Sequence, residues 1–107
     1  MRFLMTTGEN SRQPDEALFA DMGVFIDEMT ASGHLVLTGG LAPDARRMES
    51  VGDEITVTDG PFTEAKEAIL GFAILDAASW DEALEIAKRF RAIVGDGQST
   101  IQQVFGP

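Results

Sequence analysis

Val57-Thr58-Asp59-Gly60-Pro61-Phe62 is the stretch from which the fold can be read. A β-prone run stops there, a tight polar turn follows, and an aromatic comes straight after it. Pro61 has no N–H and cannot continue an internal ladder. Gly60 permits backbone angles closed to other residues. The Asp59 carboxylate can accept from N–H groups just downstream, and Phe62 is placed to anchor the turn in apolar surroundings. Working back, residues 53–58 alternate polar with apolar or β-branched side chains, which predicts a strand with one wet or lightly covered face. Working forward, Glu64, Lys66 and Glu67 set three charges beside the turn. They read as a solvated loop or short helical turn. The sharper reading has Lys66 neutralising an acidic ligand or holding Asp59 ionised.

The rest of the chain supplies a short series of elements. Residues 3–7 are apolar and β-compatible, then break at Gly8, giving a first strand. Pro14, Asp15 and Glu16 read as a helix start. Leu18, Met22, Phe25, Ile26 and Met29 follow at helical spacing, and Gly33 supplies a C-terminal stop. Residues 34–38 form a second strand, ended by Gly39 and Gly40. Residues 43–50 are polar and read as a loop or excursion. Residues 71–76 are apolar on both faces, as a central strand requires. Ser79 and Glu82 have capping-box spacing. They open a helix with Trp80, Ala83, Leu84, Ala87, Phe90 and Val94 on one side and a Glu85–Arg89 pair on the other. Residues 95–99 break it, and residues 100–105 form a last strand.

The order β-α-β-β-α-β, with a further strand possible within residues 35–58, is the ferredoxin-like arrangement of an α+β protein. Its antiparallel sheet carries two helices on one face. The other face needs cover, and a second copy of the chain is the simplest candidate, so a homodimer through the open sheet face is expected.

At 107 residues the chain is one domain, residues 1–107, able to bury a core without staples. With 44% hydrophobic and 24% charged residues its composition is that of an ordinary globular domain. The net charge of −10 repels phosphate backbones and anionic membrane surfaces, so neither nucleic acid nor membrane is expected as a partner. No stretch approaches the roughly 18 apolar residues of a membrane helix, and the first residues lack a signal-peptide core, which predicts a cytoplasmic protein. One histidine and no cysteine leave too few ligands for a tetrahedral zinc site, and no loop of spaced acids supports a hard cation. No metal or cofactor is expected. No nucleophile elbow or P-loop occurs.

The run from Val57 through Asp59-Gly60-Pro61-Phe62 to Lys66 and Glu67, followed by Gly71-Phe72, resembles the core signature of the DGPF or YCII-related family. Asp81-Glu82-Ala83-Leu84 is similar to that family's second-helix pattern. The resemblance implies a dimeric α/β barrel whose two sheets face one another, with clefts between sheet and helices that hold active sites in some distant relatives. Related proteins use a His/Asp pair. Here the single histidine, His34, lies outside the signature at the junction of the first helix and second strand.

Three functions compete. The first is a module of unassigned reaction that binds a small organic molecule in a cleft near Asp59, Gly60, Pro61, Phe62 and Lys66. The second is a cofactor-free acid/base enzyme, isomerase- or lyase-like, with Asp59 as general base. There His34 would join the chemistry only by meeting Asp59 in space. The third is a purely structural dimer whose signature merely builds the interface.

Overall fold

The computed structural model describes residues 1–60 and 68–106. The elements are β1 (Arg2–Asn10), α1 (Glu16–Ala31), β2 (Leu35–Gly40), β3 (Arg46–Val51), β4 (Glu54–Asp59), β5 (Gly71–Asp76), α2 (Trp80–Val94) and β6 (Gly97–Val104). Four strands form one sheet in the order β2-β5-β1-β6, and every neighbouring pair is antiparallel. With β3 and β4 set aside, this is the ferredoxin-like α+β topology. Apolar on both faces, β5 takes the central place its composition demands.

Local chemistry sets the element ends. The N-cap of α1 is Asp15, whose carboxylate accepts from the Leu18 N–H at 2.9 Å, so Pro14 stands outside the helix rather than in its first turn. At the other end Gly33 adopts φ +81°. The Gly33 N–H bonds the Thr30 carbonyl at 3.1 Å and the His34 N–H bonds that of Met29 at 2.9 Å. This paired closure needs a left-handed residue, which glycine supplies without strain. Ser79 caps α2 by accepting from the Glu82 N–H at 3.2 Å, while Glu82 reaches back to the Ala78 N–H at 3.0 Å rather than to Ser79.

Phe3 and Leu75 are the largest fully buried side chains, and Phe25, Met29, Ala83, Ile86 and Ala87 close over them from the helices. Phe3 meets Trp80 edge-on, with centroids 4.9 Å apart and planes at 70°. Two helix expectations are corrected. Trp80 and Leu84 are each 41% exposed, because Ile86 lies on the buried side of α2 in their place. Arg89 bonds Glu28 of α1, and Glu85 pairs with Lys88, so the expected Glu85–Arg89 pair does not form.

Strand ends also shift. β1 runs past Gly8 to Asn10, β2 runs through Gly39 and Gly40, and β6 starts at Gly97, because glycine weakens a strand without ending it when the ladder partner is in place. Residues 46–50, expected as loop or excursion, join Val51 in β3, a further strand of the kind allowed for within residues 35–58. It pairs with β4 from Arg46↔Asp59 to Val51↔Glu54. Only Gly52 and Asp53 lie between the last pair. Gly52 has φ +59° and, among the described residues, no non-glycine residue has positive φ, the pattern of a type II′ turn. Every residue of β3 and β4 is exposed, so the alternation in residues 53–58 does not report a buried face within this chain.

Candidate ligand cleft

A cleft of about 570 Å³ opens between α1 and the sheet. Met22, Phe25, Ile26 and Met29 line it from α1, and Ile86, Phe90 and Val94 from α2. Met5, Leu35, Leu70 and Leu75 line it from the sheet side. Gly71 and Ala73 are also in the lining, and their small side chains leave the space unfilled. A cavity of this size and apolar character suits a small organic ligand.

Polar groups gather at one end, where β1 leads into α1. Glu9, Asn10, Arg12 and Pro14 line the cleft there. This connection is fastened to the end of α2. The Ser11 N–H donates to the Asp96 carbonyl at 2.8 Å, the Arg12 N–H to that of Val94 at 3.1 Å, and the Asp96 N–H to the Ser11 hydroxyl at 2.7 Å. The Arg12 guanidinium is held by the Ile93 carbonyl at 2.9 Å and by Asp21 at 2.8 Å. Arg91 braces the same corner through Asn10 at 2.7 Å and the Gly95 carbonyl at 2.8 Å. The hydroxyls of Thr7 and Thr38 are also engaged, with Ser99 and with the Phe72 carbonyl, each at 2.9 Å. The rim is thus rigid, and Glu9 and Arg12 are its charged members.

The residues singled out from sequence fall elsewhere or outside the described set. Asp59 ends β4 with its side chain 80% exposed and paired to Arg46 at 3.1 Å. Gly60 donates its N–H to the Ala45 carbonyl at 2.6 Å. Gly60 is not among the positive-φ glycines, so the turn does not use the backbone freedom expected of it. Asp59 bonds Arg46 across the hairpin, and the downstream N–H groups expected to bond its carboxylate lie outside the described residues. Pro61, Phe62 and Lys66 lie outside the described residues. Neither Asp59 nor Gly60 lines this cleft or the second one, whereas Leu70 and Gly71, shortly after the signature, do line the first.

His34 sits in the second cleft, a more open one lined also by Arg2, Asp76, Glu82 and Phe105. The His34 Nδ1 lies 2.9 Å from the Asp76 carbonyl and 3.4 Å from the Glu82 carboxylate. Arg2 bonds the Asp76 carboxylate at 3.0 Å and holds its pKa below the ordinary value, while the Arg2 pKa is raised in turn. The structure does not bring His34 and Asp59 together. His34 precedes β2, and the hairpin carrying Asp59 leaves from the opposite end of that strand. Among the described residues no cluster of acids or histidines could hold a metal ion.

Sequence reasoning missed Glu9 and Arg12. The signal was present, since the polar run after residue 7 could have extended the strand toward the Pro14 helix start. Reading Gly8 as a strand terminator removed them from consideration.

A four-stranded antiparallel sheet with two helices on one face and a ligand-sized cleft between the layers defines an α+β protein of the ferredoxin-like fold class. The YCII-related domain model matches residues 1–104, and the chain belongs to that family. It is 36% identical over 80 residues to an uncharacterized protein of Rhizobium meliloti (strain 1021), a match that takes in 73% of this chain and 64% of the relative's length. Among solved structures it resembles 5-chloro-2-hydroxyhydroquinone dehydrochlorinase (TftG) from Burkholderia phenoliruptrix AC1100, in complex with 2,5-dihydroxybenzoquinone. That likeness has a TM-score of 0.51 at 16% identity and covers 100% of this chain and 96% of the other. It speaks to the fold alone. No helix among the described residues is long and apolar enough to cross a membrane.

Proposed function

We propose that the protein binds a small, largely apolar ring compound in the cleft between α1 and the sheet, as a cytoplasmic homodimer joined through its open sheet face. The observation that carries the reading is the cleft itself. Its 570 Å³ lies inside the range of small-molecule sites, and its apolar lining meets a fixed polar rim. Glu9 at that rim would accept from a hydroxyl of the ligand, and Arg12, already held by Asp21, would stay in place while it did so. A hydroxylated aromatic ring that is neutral at pH 7, such as a simple phenol, has the matching chemistry.

The test is a thermal-shift screen with 2,5-dihydroxybenzoquinone and simple phenols, with binders confirmed by chemical-shift changes. A ligand at 100 times its dissociation constant stabilises by about 2.7 kcal/mol. The binder should move the methyl signals of Met5, Met22 and Ala73, and Met22→Trp, which fills the cleft, should abolish the effect. Binders that leave those methyls unmoved would overturn the reading. An acid/base enzyme is the second reading, favoured by a carboxylate at the rim of an apolar site. Glu9→Gln that keeps binding but abolishes conversion of the bound compound would establish it.

A further inference from the structure

Among the described residues the β3–β4 hairpin pairs with no other strand, and its residues are exposed on both faces. Directly opposed residues share a face. One face therefore carries Met48 against Val57 and Ser50 against Ile55, closed by the Arg46–Asp59 pair. Met48, Ile55 and Val57 are 68%, 65% and 55% exposed. The other face is polar except for Val51 at the turn. An isolated two-stranded hairpin is marginal in water, and nothing described within this chain covers the apolar face.

The chain has a second uncovered apolar face. On the sheet side opposite the helices, register places Leu37, Ile74 and Leu4 in one row and Phe72 in the next. That face is locally neutral, because its charged pair, Arg2 and Asp76, is mutually satisfied. The charge of −10 therefore does not oppose self-association there. The protein is also extended. Its radius of gyration is 16.0 Å with a longest dimension of 47 Å, against about 13 Å for a compact chain of this length.

We propose that the β3–β4 hairpin is an arm whose Met48, Ile55 and Val57 face is covered by a second copy of this chain. The inference rests on the homodimer in the functional reading and adds the arm to it. A two-fold pair buries each arm once on each protomer, so one sequence feature supplies two contacts. Area argues the same way. β1, β2, β5 and β6, of 9, 6, 6 and 8 residues, present a footprint of roughly 450 Å², short of the about 800 Å² per partner of a stable interface. The protomer's own arm and the surface under its partner's arm add roughly 200 Å² each and bring the total to roughly 850 Å².

The experiment mixes two preparations of the full chain. One is ¹⁵N-labelled and unaltered. The other is Thr56→Cys, the only cysteine in a cysteine-free chain, spin-labelled on the polar face of the hairpin. In mixed dimers, broadening of amides in the ¹⁵N chain reports the arm lying on its partner, which is the expected result. A dimer by sedimentation with no such broadening overturns the arm and leaves the homodimer standing. A monomer overturns both, while ligand binding in the cleft is read separately by the thermal screen. As a second measurement, Met48→Glu with Val57→Glu should weaken the dimer by about tenfold or more with an unchanged circular dichroism spectrum, since neither residue touches the core. Unchanged dimer affinity in that variant overturns the proposal.

Discussion

Gly95 is where the structure makes its sharpest quantitative demand. Its backbone has φ +85° and ψ −152°, a region that side-chain-bearing residues rarely enter. Forcing Ala into it costs about 1–3 kcal/mol. A Cβ built there would lie 2.4 Å from the Ser11 hydroxyl and 3.1 Å from the Arg12 nitrogen. Ser11 would have to move, and its 2.7 Å bond to the Asp96 N–H would be lost at a cost of about 1 kcal/mol. Gly95→Ala should therefore destabilise by about 2–4 kcal/mol, a large share of the total for such a domain. Urea denaturation followed by circular dichroism measures it, and the melting temperature should fall by roughly 4–8 °C per kcal/mol. Ser11→Gly separates the two causes. Alone it should cost about 1 kcal/mol through the lost hydrogen bond. In its background Gly95→Ala should cost only the backbone strain, and the cycle should show the difference as coupling. A loss below about 1 kcal/mol for Gly95→Ala, or an uncoupled cycle, would refute the reasoning. The variant also tests the cleft, because Arg12 moves with Ser11 and any ligand held at that rim should weaken.

Two further outcomes follow from burial and charge. Phe3→Ala empties a site that is 0% exposed and faces Trp80, so it should cost about 3–5 kcal/mol in urea titrations. The Arg2–Asp76 pair should impose a pH dependence of definite sign. Because the folded pKa of Asp76 is lowered by Arg2, its contribution is complete above the ordinary carboxylate value of about 3.9. It is lost as pH falls below that value and through the lowered one. The stability gap between the unaltered chain and Asp76→Asn should thus narrow between about pH 6 and about pH 3, and a gap independent of pH would contradict it.

Local rules account for what was legible in the sequence. Asp15, Gly33 and Ser79 each act within a turn of their own position, and β5 declares its centrality by being apolar on both faces. The missed features depend on partners distant in the chain. Arg89 bonds Glu28 rather than Glu85 because α1 lies beside α2, a fact no i,i+4 rule contains. β1 passes through Gly8 because β6 supplies a ladder partner as far as Asn10, across an irregular register.

The same distinction governs the site. The signature around Asp59 is conspicuous because its residues are contiguous, yet Asp59 stands exposed on a hairpin, bonded to Arg46. The cleft is built instead from residues spread between Met5 and Val94, none unusual in its own neighbourhood. Small side chains at Gly71 and Ala73 matter only because Met22 and Ile26 of α1 stand over the same space. A void is a property of what faces what, and that follows from topology rather than from any one segment. The hairpin face of Met48, Ile55 and Val57 is the converse case. The alternation of residues 53–58 was legible and was read as a strand with one wet or lightly covered face, but the pattern of a single chain is the same whether any cover is the chain's own core or another copy's. Exposure in the folded protomer turns that ambiguity into a question of assembly, which mixed-label dimers answer directly.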